Sequence, residues 1–163
     1  MVTALIFCQS CIGWGVNDDD GDDIAPNSYQ PVIMQRSDFE ATTVLEGTPR
    51  TIENSGKIYV KGNFIFVNEV NQGFHLINNS NPSNPINIGF IKVLGSSDLS
   101  IKGDVFYANN AIDLIAFKID EASESLTITK RLENVFPQMW SPNGETYYTL
   151  EENEIIVNWN PIN

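Results

Sequence analysis

Basic residues are scarce in this chain. Nine Lys and Arg face 21 Asp and Glu, for a formal net charge of −12. This argues against nucleic acid as a partner, because phosphate contacts need a cationic face. The acidic excess fits solubility, or a surface that attracts cations. Histidine is scarcer still, with His75 alone. No serine sits in a G-x-S-x-G elbow, so a Ser-His-Asp triad has little to draw on. Cysteine is confined to Cys8 and Cys11. Their CxxC spacing has no second pair to complete the roughly four ligands of a tetrahedral zinc site. No βαβ pattern follows of the kind that accompanies a thioredoxin motif. A Cys8–Cys11 disulfide would staple only a tail. No apolar run approaches the roughly 20 residues of a membrane-spanning helix. What is present, 163 residues at 42% hydrophobic and 10% aromatic, suffices for one domain with a core.

The first fifteen residues, MVTALIFCQSCIGWG, carry no charged side chain. The apolar Ala4-Leu5-Ile6-Phe7 run is short, and the basic n-region of a signal peptide is missing. Ser10 immediately precedes Cys11, as a small residue precedes a lipidated cysteine, and the acidic run Asn17-Asp18-Asp19-Asp20-Gly21-Asp22-Asp23 follows. Residues 1–11 thus look like the remnant of a bacterial lipoprotein signal, and a start codon placed too late would explain the missing basic start. Cys11 is the expected lipidation site. Cys8, preceded by Phe7, fits worse. Residues 12–30 are expected to form an acidic flexible tether. The acidic run fails as an EF-hand loop, because Val16 would occupy the first ligand position if Gly21 were the loop glycine.

The pattern of residues 31–163 is that of one β-repeat domain. Residues 31–56 are mixed. Val32-Ile33-Met34 is a candidate strand, and Ser37 with Glu40 is a candidate helix cap. From Lys57 onward the texture is β: Ile58-Tyr59-Val60, Phe64–Val67, Phe74–Ile77 and Ile86–Val93. The pattern then repeats, with Leu99-Ser100-Ile101, Val105–Ala108, Leu114–Phe117 and Leu126–Thr129. Val60-Lys61-Gly62-Asn63 and Ile101-Lys102-Gly103-Asp104 lie 41 residues apart. Dropping one loop residue before the third strand keeps all four strands in step. A four-stranded unit recurring every 40–45 residues or so is the signature of a propeller blade. The expected fold is all-β, with four-stranded antiparallel units of β-propeller type. Two full blades, near 57–97 and 98–137, are expected with partial flanking strands. Tyr147–Leu150 and Glu154–Trp159 read as a hairpin. Asn78 to Pro85 joins the third and fourth strands, where Pro82 and Pro85 suit a loop and an edge strand because proline has no N–H to give a ladder.

The segment Phe74-His75-Leu76-Ile77-Asn78-Asn79-Ser80-Asn81-Pro82-Ser83-Asn84-Pro85 resembles the LVIVD repeat, an apolar strand ending in Asp followed by an S-[DN]-P-x-[NR]-P turn. It departs from that pattern at Asn78, where Asp is usual. The stretches Ser28–Asp38 and Ile52–Tyr59 resemble the start of bacterial lipoproteins carrying such repeats. The resemblance runs from about residue 8 to 137, and more loosely to Trp159. It implies a β-propeller-like domain, export and a lipid anchor at a cysteine before an acidic spacer. It also implies a place at the outer membrane, where in some bacteria such a spacer goes with display on the outer face. It carries no established activity.

Two blades do not close a propeller, which takes about four to eight. Homo-oligomerisation or missing blades are the expected remedies, and a fragment of a longer propeller lipoprotein is one reading of the chain. No catalytic residue, metal site or cofactor is expected. His75 reads as a surface or satisfied histidine. Glu69, Asp98, Asp104, Asp113 and Glu145 lie on or beside loops, with nothing to pair them as a hydrolase would need. Trp140, Tyr147, Tyr148 and Trp159 are core packing, or an aromatic platform for a sugar or protein. The expected function is non-enzymatic binding or scaffolding by a protein held to a membrane through its lipid anchor. Its partner would be an envelope protein or a glycan. The alternative is an envelope hydrolase acting on glycans or peptides.

Overall fold

The computed structural model describes residues 28–120, 125–144 and 149–162. The fold is all-β, with three antiparallel sheets and one short helix among the described residues. The expected lipidation site, Cys11, and most of the expected tether lie outside the described residues.

Both copies of the repeat form the expected meander. The first comprises β3 (Ser55–Lys61), β4 (Phe64–Glu69), β5 (Gly73–Asn78) and β6 (Ile86–Lys92). The second comprises β7 (Leu99–Lys102), β8 (Val105–Asn110), β9 (Asp113–Asp120) and β10 (Ser125–Leu132). The Lys-Gly turns close the first hairpin of each, pairing Lys61 with Phe64 and Lys102 with Val105. Gly62 and Gly103 stand at φ 56° and 57°. A two-residue loop with glycine at a positive-φ first position matches the twist of the strands it joins.

The first sheet has five strands rather than the expected four. β2 (Val44–Glu46), in a stretch that reads as mixed, pairs with β6 as Val44↔Lys92 and Glu46↔Phe90. Its three residues are too few to show a period, and only the free edge of β6 recruits them. The hairpin expected from Tyr147–Leu150 and Glu154–Trp159 does not form as such. Thr149 and Leu150 are not strand, and 145–148 lie outside the described residues. Instead β11 (Glu154–Pro161) pairs with β1 (Tyr29–Gln35), from Tyr29↔Pro161 to Gln35↔Glu154. β1 offers seven residues to pair with, and its Val32 and Met34 pack with Ile155 and Val157. The helical turn is present as α1 (Arg36–Ala41), but Ser37 does not cap it. β1 runs straight into the helix, so Gln35 holds the cap position and the Arg36 N–H bonds to the Asn153 carbonyl.

The two repeat sheets stack on a shared core of Phe66, Phe74, Ile91, Phe106, Ile115 and Phe117. Phe66 meets Phe106 edge to face at 5.2 Å. Strand alternation sorts Phe64, Phe66 and Asn68 onto one face of β4, and Ile65 and Val67 onto the other. In the second sheet Phe106 and Ala108 point into the shared core. These are the counterparts, 41 residues on, of Ile65 and Val67. The contact therefore joins one face of the repeat to the opposite face of its copy.

The β1–β11 ribbon and α1 cover one end of the stack. Phe39, Ile155 and Val157 pack there on Ala111 and Ile112 of the β8–β9 turn, with Leu94 beside them. Asn71 of the β4–β5 turn donates to Asn158 at 3.2 Å. Among the described residues, the loops gathered at this end hold two buried carboxylates, Glu69 and Asp113.

Candidate functional site

Two buried carboxylates stand at the covered end. Glu69 closes β4, and its oxygens accept the Glu53 N–H at 3.1 Å and the Asn54 N–H. The link before β3 is thereby strapped to the sheet. The same carboxylate meets His75 Nε2 at 2.9 Å. Burial opposes ionisation of Glu69, yet the hydrogen bonds from His75, Asn54 and Glu53 outweigh it and hold the carboxyl below its usual range. His75 is satisfied on one nitrogen, but it is a core residue and not a surface one: it is 0% exposed. Its ring lies edge-on to Phe90 at 5.0 Å, and the Arg50 guanidinium sits 4.2 Å from the centre of the Phe90 ring. Arg50 in turn grips Glu46 through two bonds, at 2.8 and 2.7 Å. His75 Nδ1 has no partner among the described residues.

Asp113, at the start of β9, is also 0% exposed. It accepts Arg36 Nη1 at 2.9 Å, Arg131 Nη1 at 2.7 Å and the Asn134 N–H at 3.0 Å. Burial again works against its charge, and the two guanidiniums and the amide reverse the balance, holding it below its usual value. Arg131 also donates to Asn110 Oδ1 at 3.0 Å, and Asn110 donates to the Leu94 carbonyl at 2.8 Å. One acidic side chain thus ties α1, β9, β10 and the turn after β10. Sequence reasoning missed this cluster. Its one signal was economy, since two of only three arginines meet here.

Asp98 and Asp104 serve the contact between the stacked sheets. Asp98 pairs with Lys57 and accepts the Tyr59 hydroxyl at 2.5 Å. These bonds hold its carboxyl below the usual range. Asp104 meets Lys61 at 3.2 Å. Glu145 lies outside the described residues. The structure thus places Glu69, Asp98, Asp104 and Asp113 in four separate bonding sets, not as a facing pair. Carboxylates held ionised, as Glu69, Asp98 and Asp113 are, suit cation pairing better than proton donation. Among the described residues no cluster of three or more His, Cys, Asp or Glu is placed to hold a metal ion.

Open surface lies elsewhere. A groove of about 900 Å³ runs between the outer face of the second sheet and residues 136–140. Tyr107, Leu114, Phe136 and Trp140 line it, with Asp98 and Ser100 at its edge. Trp140 is 63% exposed, as an aromatic platform would be. Trp159 is instead core, with its indole N–H on the Met139 carbonyl at 3.1 Å. Tyr147 and Tyr148 lie outside the described residues. On the outer face of the first sheet, Ile58 and Val60 are 66% and 65% exposed.

No protein-family profile matches the chain, nor does any curated protein or solved structure. What the surfaces can do follows from their own chemistry. The buried carboxylates brace loops. The groove and the apolar face offer contact area.

Proposed function

We propose that this is a non-enzymatic, lipid-anchored protein of the bacterial cell envelope. It carries propeller-type repeats and works by binding or scaffolding. The observation that carries the reading is the division between closed chemistry and open surface. Every described carboxylate from the loop set is bonded to a cation, a hydroxyl or a backbone amide. The open regions are an aromatic groove and an apolar sheet face. Large exposed apolar side chains gathered on one face mark interaction sites. The propeller-type reading draws support from the repeat period and from stacking that joins opposite faces of successive copies. The resemblance to LVIVD-repeat lipoproteins, with Ser10-Cys11 ahead of an acidic tether, supports the anchor and a surface-facing place at the outer membrane.

Metabolic labelling with palmitate tests the anchor. Wild type takes up label and sediments with membranes. Cys11→Ala takes up none and is released. Label retained in Cys11→Ala refutes the assignment. Turnover on a glycan or peptide panel, abolished by alanine at Glu69, Asp104 or Asp113 in a protein that stays folded, would favour the hydrolase instead.

A further inference from the structure

We infer that copies of this chain associate head to tail, the Ile58–Val60 face of one seated on the Ser100–Tyr107 face of the next. The inference rests on the propeller-type reading of the stacked sheets, and not on the lipid anchor or on residence in an envelope.

The interface already exists once inside the molecule. The first sheet offers Tyr59, Phe64, Phe66, Phe74 and Leu76 to the second. Their counterparts in the second sheet are Ser100, Val105, Tyr107, Leu114 and Ala116, on its outer face. The second sheet answers with Leu99, Ile101, Phe106, Ala108 and Phe117. Their counterparts in the first sheet are Ile58, Val60, Ile65, Val67 and Ile77 on its other face, where Ile58 and Val60 are exposed, Ile65 and Ile77 half-buried and Val67 buried. The open part of the first sheet's outer face, around Ile58 and Val60, and the outer face of the second sheet therefore correspond to the two halves of the internal contact, while the Val67–His75 end is already covered within the chain. One repetition of the same packing brings them together between copies. Phe66 rests on Phe106 within the chain. By the same register, Tyr107 of one copy rests on Ile65 of the next.

The exposed apolar side chains fit this role. Ile58 and Val60 lie open on an otherwise well-packed sheet. The groove over Ser100 and Tyr107 is not filled by the described part of the chain. A contact between unlike faces is heterologous, so it either closes a ring or grows without limit. At two repeats per copy, a ring of two to four copies reaches the roughly four to eight blades that close a propeller.

The full chain, produced without export so that Cys11 carries no lipid, is examined by sedimentation velocity. Two exposed positions are changed separately, Val60→Arg on one face and Ser100→Arg on the other. Melting curves confirm that each variant folds. Wild type is expected as a species of two or more copies, and each variant as a monomer at the same concentration. An equimolar mixture of the two variants regains one intact interface and is expected to form a dimer and nothing larger. A wild type that stays monomeric up to its solubility limit overturns the inference. It leaves the anchor, tested by palmitate, untouched. Association that survives Ser100→Arg but not Val60→Arg overturns it in favour of a two-fold contact of like faces. Association that survives both places the interface elsewhere and overturns it too.

Discussion

Asp113→Asn should cost the protein more than any exposed substitution. The aspartate is fully buried and receives two guanidiniums and a backbone N–H. Asparagine keeps the volume but removes the charge, and it turns an N–H₂ group toward cations that have no acceptor to spare. Removing one partner from a buried ion pair costs about 3–5 kcal/mol. The low end applies here, because Arg36 and Arg131 retain other carboxylates. Glu40 lies 3.2 Å from Arg36 and 4.0 Å from Arg131, and Glu133 lies 3.8 Å from Arg36. Both are partly solvated, so they replace only part of the loss. The expected change is a loss of about 3 kcal/mol in urea denaturation and a fall of roughly 10 °C in Tm. The pH dependence gives a second check. A carboxyl whose folded pKa is depressed stabilises the fold above its unfolded pKa, and that contribution disappears as pH falls through the folded value. The gap between wild type and Asp113→Asn should therefore hold from neutrality down to about pH 4 and close below it. A loss under about 1 kcal/mol, or a gap that closes well above pH 4, would refute the account of this cluster.

Gly73 stands at φ 148°, and a Cβ there would lie 2.0 Å from the Ile91 carbonyl oxygen. Gly73→Ala should lose about 3 kcal/mol by combined strain and overpacking, read by urea denaturation, and a neutral result would show that β5 and β6 separate easily. Tyr59 is half-buried and donates to Asp98, and the partial burial together with that bond pushes its hydroxyl up to about 12. A raised pKa means that its contribution is present below about pH 10 and is lost as pH climbs toward the folded value. Tyr59→Phe should flatten that alkaline limb of stability, and Asp98→Ala should bring the tyrosine's absorbance titration back toward its ordinary position.

Much of the fold was legible because its grammar is local. The alternation in Ile86–Phe90 and the two Lys-Gly turns are properties of a few adjacent residues, and each hairpin forms from neighbours. The 41-residue echo extended that grammar to the sheets, since two similar strings obey the same pairing rules. The chemistry was less legible. His75 reads the same whether its strand face lies under solvent or under Phe90 and the link carrying Glu53 and Asn54. Asp113 reads as a loop acid until Arg36 and Arg131 arrive from distant positions.

The sequence by itself determined the all-β character and the two meanders, because propensity, turn chemistry and period act within a few residues. Tertiary structure alone decided that β1 joins β11 across nearly the whole chain, that β2 extends the first sheet, and that Asp113 and Glu69 lie buried. Those outcomes depend on which free edge is within reach and which face is covered. Both are settled only when distant segments compete for the same place.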